Sequence, residues 1–116
     1  LPVKHPSELD AELAAACARL RATGVTLLNQ SVLLAGVNDD AEVLSQLSRR
    51  LFEAGVLPYY LHALDRVRGA AHFAVPEERA RRLAGELAAR LPGYLVPRLV
   101  REVAGAPGKV VLGATF

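Results

Sequence analysis

The chain has 116 residues, 52% hydrophobic and 22% charged, which is enough apolar material for one compact core and too little for two. Its 14 basic and 12 acidic residues are interspersed and leave a net charge of +2, with no basic block to track a phosphate backbone, so a nucleic-acid binder is not expected. One cysteine, Cys17, excludes an internal disulfide framework and any multi-cysteine metal site built from this chain alone. No apolar run approaches the roughly 18 residues of a membrane span, and no basic-then-apolar leader opens the chain, so the expected compartment is the cytoplasm.

In chain order, Leu9, Leu13, Ala16, Cys17 and Leu20 after Pro6-Ser7-Glu8 predict an amphipathic helix over 8–23, capped by Ser7 and ended by Gly24. Val25 to Leu34 is apolar on both sides of Asn29-Gln30-Ser31, the pattern of a strand buried on two faces that binds something polar in its middle. A turn at 36–39 leads to a second helix over 40–54, set by Val43, Leu44, Leu47, Leu51 and Phe52, with Asp39 or Asp40 as cap and Gly55 as stop. The second strand is 58–64, entered through a proline. Tyr59 and Tyr60 alternate across it, one toward the core and the other toward the helices. After a loop over 65–75, Pro76, Glu77, Glu78 and the Leu83, Leu87, Leu91 series define a third helix, closed by Pro92-Gly93, and the third strand runs from Tyr94 to about Glu102. Helices alternating with short strands indicate right-handed parallel crossovers, hence an α/β fold. Three strands cannot close a barrel, so the expected whole is a TIM-like β/α barrel with parallel strands, of which residues 1–116 form the last part. The opening at Leu1 and the lack of methionine fit that expectation.

Functional groups in parallel α/β structures collect at the C-terminal ends of the strands. Those ends carry Asn38-Asp39, then Asp65-Arg66 with His72 nearby, then Glu102 and the run Ala104 to Lys109, so Asp65, Glu102 and Lys109 are expected on one rim. Only two of the 14 basic residues are lysines, Lys4 and Lys109. A lysine on a glycine-bounded loop beside carboxylates suits Schiff-base chemistry with an aldehyde cofactor, and an exposed loop lysine has the same composition. A phosphate loop is excluded, because Val103 stands six before Lys109 instead of glycine and Val110 follows it instead of Ser or Thr. Asp65 and Glu102 can form an acid–base pair or a cation clamp, or can simply cap helices or meet Arg66, Arg68, Arg98 or Arg101. His72 has no second histidine at metal spacing, and Cys17 reads as core.

The runs Asn29-Gln30-Ser31-Val32-Leu33-Leu34-Ala35-Gly36-Val37-Asn38-Asp39, Pro58-Tyr59-Tyr60-Leu61-His62-Ala63-Leu64-Asp65 to Gly69-Ala70-Ala71-His72-Phe73, and Gly93-Tyr94-Leu95-Val96-Pro97 leading to Pro107-Gly108-Lys109 resemble the C-terminal third of the lysine 2,3-aminomutases. That family is radical S-adenosylmethionine, pyridoxal-phosphate isomerases that move an amino group from the α to the β carbon of lysine. The resemblance places the pyridoxal-phosphate lysine at Lys109 and the two acids that hold the substrate ammonium at Asp65 and Glu102, the latter an aspartate in many members. It places Asn29 and Gln30 near the adenosyl group. Two negative positions favour L-lysine over a glutamate carboxylate. Asp40 stands where free-lysine mutases carry a zinc-binding cysteine, which implies no zinc. With Glu102, this most resembles the branch that makes (R)-β-lysine for elongation factor P, with a downstream lysyl-transfer enzyme as partner. A free-lysine mutase and a non-catalytic barrel remnant are the alternatives. The [4Fe-4S] cluster ligands and the arginine for the substrate carboxylate are expected upstream, so the segment alone is expected to be inactive.

Overall fold

The computed structural model describes residues 1–64, 71–102, 105, 106 and 108–116; residues 65–70, 103, 104 and 107, and with them Asp65, Arg66 and Arg68, lie outside the described residues. Helix α1 spans Ala11–Arg21, and its cap is Asp10, whose carboxylate accepts from the Leu13 amide at 2.8 Å. The expected start at residue 8 is displaced because Pro6–Glu8 form a separate 3-10 turn and Leu9 leaves helical geometry. Strand β1 is Leu27–Leu33. Helix α2, Ala41–Glu53, starts where Asp40 accepts from the amides of Glu42 and Val43, and it stops before Gly55 at φ 79°, a conformation that favours glycine. Strand β2 is Val56–Ala63, so Pro58 lies inside it. Helix α3 is Glu77–Arg90, with Pro76 at its cap position. The expected third strand shortens to β3, Arg98–Glu102, because Gly93–Leu95 form a 3-10 turn.

The sheet order is β1-β2-β3-β4, where β4 is Lys109–Val111. Strands β1, β2 and β3 pair in parallel, as expected of βα crossovers, and β4 is antiparallel to β3. The fully parallel expectation is therefore corrected at the last strand, and Lys109 stands on a strand rather than on a loop. The hairpin return needs no crossover helix. Leu1 adds to the opposite edge: its amino group donates to the Leu28 carbonyl at 2.8 Å, and its carbonyl accepts from the Gln30 amide at 2.8 Å, the alternation of a parallel bridge around Asn29.

All three helices pack on one side of this sheet. Leu33, Leu61 and Leu99 meet Leu44, Leu83 and Leu87, and a second cluster joins Val3, Cys17, Leu47, Leu51 and Val56. Each fully buried leucine contributes about 2 kcal/mol by leaving water. Cys17 is core, as expected, whereas Leu20 and Phe52 leave the predicted apolar stripes for solvent, Phe52 resting against Tyr94 with ring centroids 5.3 Å apart. Among the described residues no helix is long and apolar enough to cross a membrane.

Candidate functional site

The side of the sheet away from the helices carries Gln30, Glu102 and Lys109, and a one-residue irregularity in β2 decides which of that strand's side chains join them. Asn29 pairs with Pro58, but Gln30 pairs with Tyr60, so Tyr59 is an extra residue. Successive strand side chains alternate between faces, so the insertion exchanges the faces of everything after it. Before the insertion Val56 and Pro58 are buried beneath the helices; after it Leu61 is, and Tyr60 and His62 turn to the open face. The expected division of Tyr59 and Tyr60 between core and helices is corrected accordingly: neither is buried, and their rings lie 4.3 Å apart.

On β3 the same alternation sends Leu99 into the core and Arg101 to Glu77 of α3, at 2.7 Å, while Glu102 faces the open side. Lys109 is the register partner of Glu102 across the β3–β4 ladder. Its ammonium lies 5.3 Å from the centroid of the Tyr60 ring, a cation–π distance. A side chain added at Gly108 would meet nothing within 4 Å, so the space before Lys109 is open. A cavity of about 400 Å³ lies at the C-terminal end of the parallel strands, lined by Pro2, Gln30, Val32, His62, Ala63, Leu64 and Glu102. His62 Nε2 and Gln30 Oε1 are 3.0 Å apart. Burial, and then the nearby Lys109 charge, push the imidazole below its ordinary range, against an opposing pull from Glu102. A hydrogen bond with Tyr59 pushes the Tyr60 hydroxyl up.

Of the sequence-predicted site residues, Gln30, Glu102 and Lys109 share this face, and Asp65, next after the lining residue Leu64, lies outside the described residues. Asn29 is not on it. Its amide is buried on the helix side, where Oδ1 accepts from the Val3 amide and Nδ2 donates to the Val3 carbonyl, both at 2.9 Å. The Ser31 hydroxyl donates to that same carbonyl, and Asn38 Nδ2 donates to the carbonyls of Lys4 and Val32. The polar groups of β1 and of Asn38 in the turn after it therefore hold the first four residues against the sheet. His62 and Tyr60 were missed, because their exposure depends on the extra residue and plain alternation gives the opposite face.

No protein-family model matches the chain. Over 110 residues it is 54% identical to the L-lysine 2,3-aminomutase of Escherichia coli (strain K12), covering 95% of this chain and 32% of that protein. The chain is a homologue of the lysine 2,3-aminomutases. It is 52% identical over 109 residues to the L-lysine 2,3-aminomutase of Haemophilus influenzae, covering 94% of this chain and 32% of that protein. With the L-lysine 2,3-aminomutase of Clostridium subterminale it shares 39% over 105 residues, 90% of this chain and 25% of that protein. The chain spans about a third of the length of the first two relatives.

Proposed function

We propose that these residues are the C-terminal part of a lysine 2,3-aminomutase, an isomerase that moves the amino group of L-lysine from the α to the β carbon. The observation that carries the reading is the pairing of Lys109 with Glu102 on the uncovered sheet face, where Glu102 also lines the cavity. Pro2, Val32, Ala63 and Leu64 give that cavity apolar walls for a four-carbon stem, and Glu102 gives it an anion for the terminal ammonium. Asp65, the residue after Leu64, is the second anion of the reading.

Lys109 fits pyridoxal phosphate: it is a primary amine on an open face, next to an aromatic ring and preceded by a glycine with free space around it. That cofactor supplies an aldehyde for the amine and a conjugated ring able to accommodate unpaired spin. This chain's residues position the amine, anchor the far end of the substrate and keep water from the cavity wall. The lone cysteine is buried in the core, so the [4Fe-4S] cluster and S-adenosylmethionine of the reading belong to residues outside this chain. Gln30, on the open face, is the residue retained as an adenosyl contact.

Glu102 and Asp40 favour the branch whose (R)-β-lysine modifies elongation factor P, through a lysyl-transfer enzyme. The Asp40 carboxylate caps α2 at the position where free-lysine mutases carry a cysteine. The test is borohydride reduction of the full-length protein with pyridoxal phosphate, followed by peptide mapping. The label is expected on Lys109, and a label confined to another lysine overturns the assignment.

A further inference from the structure

The aminomutase reading leaves one side chain of the cavity without a task. His62 reaches the open face only because β2 carries its extra residue; its register partners are Val32 on β1 and Val100 on β3, and its ring meets the Gln30 side chain. Among the described residues, the charged and titratable groups around it are Tyr60 on its own strand, with ring centroids 5.7 Å apart, Glu102 on β3 and Lys109 on β4, with Arg98 on β3 opposite Tyr60. A glutamine carbonyl oxygen can only accept, so in the pair with Gln30 the imidazole Nε2 carries the hydrogen. In the neutral ring the lone pair is then on Nδ1. Burial and the Lys109 charge both favour that neutral ring. Among the described residues the polar side chains lining the cavity are Gln30, His62 and Glu102; the Gln30 oxygen uses one lone pair on His62, and the Glu102 carboxylate and Nδ1 are the acceptors with no such bond among the described residues.

We propose that His62 is a specificity-determining residue of this cavity: fixed as the Nε2–H tautomer by Gln30, it offers Nδ1 to the ammonium of a ligand held beside Glu102, and repels that ammonium when protonated. This rests on the reading of the cavity as the lysine-binding site. A carboxylate attracts any cation from any direction, whereas a neutral acceptor at a fixed angle selects a group that can donate a hydrogen bond toward it. Ammonium can do so and a methyl group of the same size cannot.

The test is equilibrium dialysis of L-lysine and of L-norleucine, which lacks the terminal amine, against the full-length protein loaded with its cofactors, between pH 5.5 and 8. In the unmodified protein lysine affinity is expected to fall toward about tenfold per pH unit below the imidazole midpoint, as one proton is taken up. His62→Leu should weaken lysine binding by about tenfold or more and leave norleucine within about twofold. His62→Asn keeps an uncharged acceptor near the Nδ1 position, so it should retain lysine affinity at pH 8 and lose the fall at acid pH. The borohydride label on Lys109 reports that each variant keeps its site. A His62→Leu variant that keeps the label and binds lysine like the parent, or loses lysine and norleucine equally, overturns the proposal alone. Failure of the unmodified protein to bind lysine overturns the lysine reading and the proposal with it.

Discussion

Replacing Asn29 with Ala separates two roles for this residue, a scaffold role and direct contact with a cofactor. The side chain is 2% exposed and makes a two-way bridge to the Val3 peptide, itself on a residue 4% exposed, with both bonds at 2.9 Å. Each bond contributes about 1 kcal/mol net, and leaving the Val3 amide buried without a partner costs about 1 kcal/mol more. The total of about 3 kcal/mol corresponds to roughly two orders of magnitude in the opening equilibrium of the 1–4 segment. Native-state hydrogen exchange measures it directly: the Val3 amide should exchange about a hundredfold faster in Asn29→Ala, while amides in α3, remote from the change, keep their protection. On the proposed aminomutase function, the same substitution should leave the borohydride label of pyridoxal phosphate on Lys109, since the amide faces away from that amine. Unchanged protection at Val3 combined with loss of a bound cofactor would refute the scaffold argument.

Gly85 lies in the middle of α3, where a Cβ would collide with the carbonyl oxygen of Thr115. Gly85→Ala should gain about 1 kcal/mol of helix propensity yet release the C-terminal tail, and faster proteolysis beyond Gly113 with loss of protection at the Thr115 amide, now bonded to the Arg81 carbonyl at 2.9 Å, checks it. For His62 the imidazole is held below 6.5 in the folded chain, so between the two midpoints the unfolded chain binds more protons and stability rises with pH. That contribution is present above pH 6.5 and disappears as pH falls through the lowered midpoint. His62→Asn should flatten this part of the stability–pH curve, and a nuclear magnetic resonance titration with a midpoint above 6.5 would contradict the sign.

The helices were legible because their signals are local. Asp40 and Gly55 bound α2 within a residue of the expected limits, whereas the cap of α1 is Asp10 in place of the expected Ser7, because Pro6–Glu8 form a turn of their own. The α/β class and the parallel order of the first three strands followed from the alternation of elements. Strand β4 was not legible, since Lys109-Val110-Val111 is too short to show a period and forms only by pairing with β3. The site was half legible. Glu102 and Lys109 were expected on one rim and are ladder partners. The triplet Asn29-Gln30-Ser31 carried a real polar signal that its reading as a single binding unit misassigned, because neighbouring strand residues cannot face the same way. Asn29 and Ser31 serve the chain's own backbone, and only the middle residue reaches the cavity. No one-strand pattern could reveal His62, whose face is set by how β2 is counted against β1.

That miscounted strand has a consequence for how the molecule tolerates change in length. Up to Pro58 the even-numbered positions of β2 serve the core, and from Leu61 the odd-numbered ones do. Excising Tyr59 alone would bring the two halves back into step. Pro58 would then be followed directly by Tyr60, and plain alternation would keep Leu61 in the core and the imidazole on the open face, each opposite its present partner on β1. A single-codon loss there should disturb the site less than most replacements of the residues that line it.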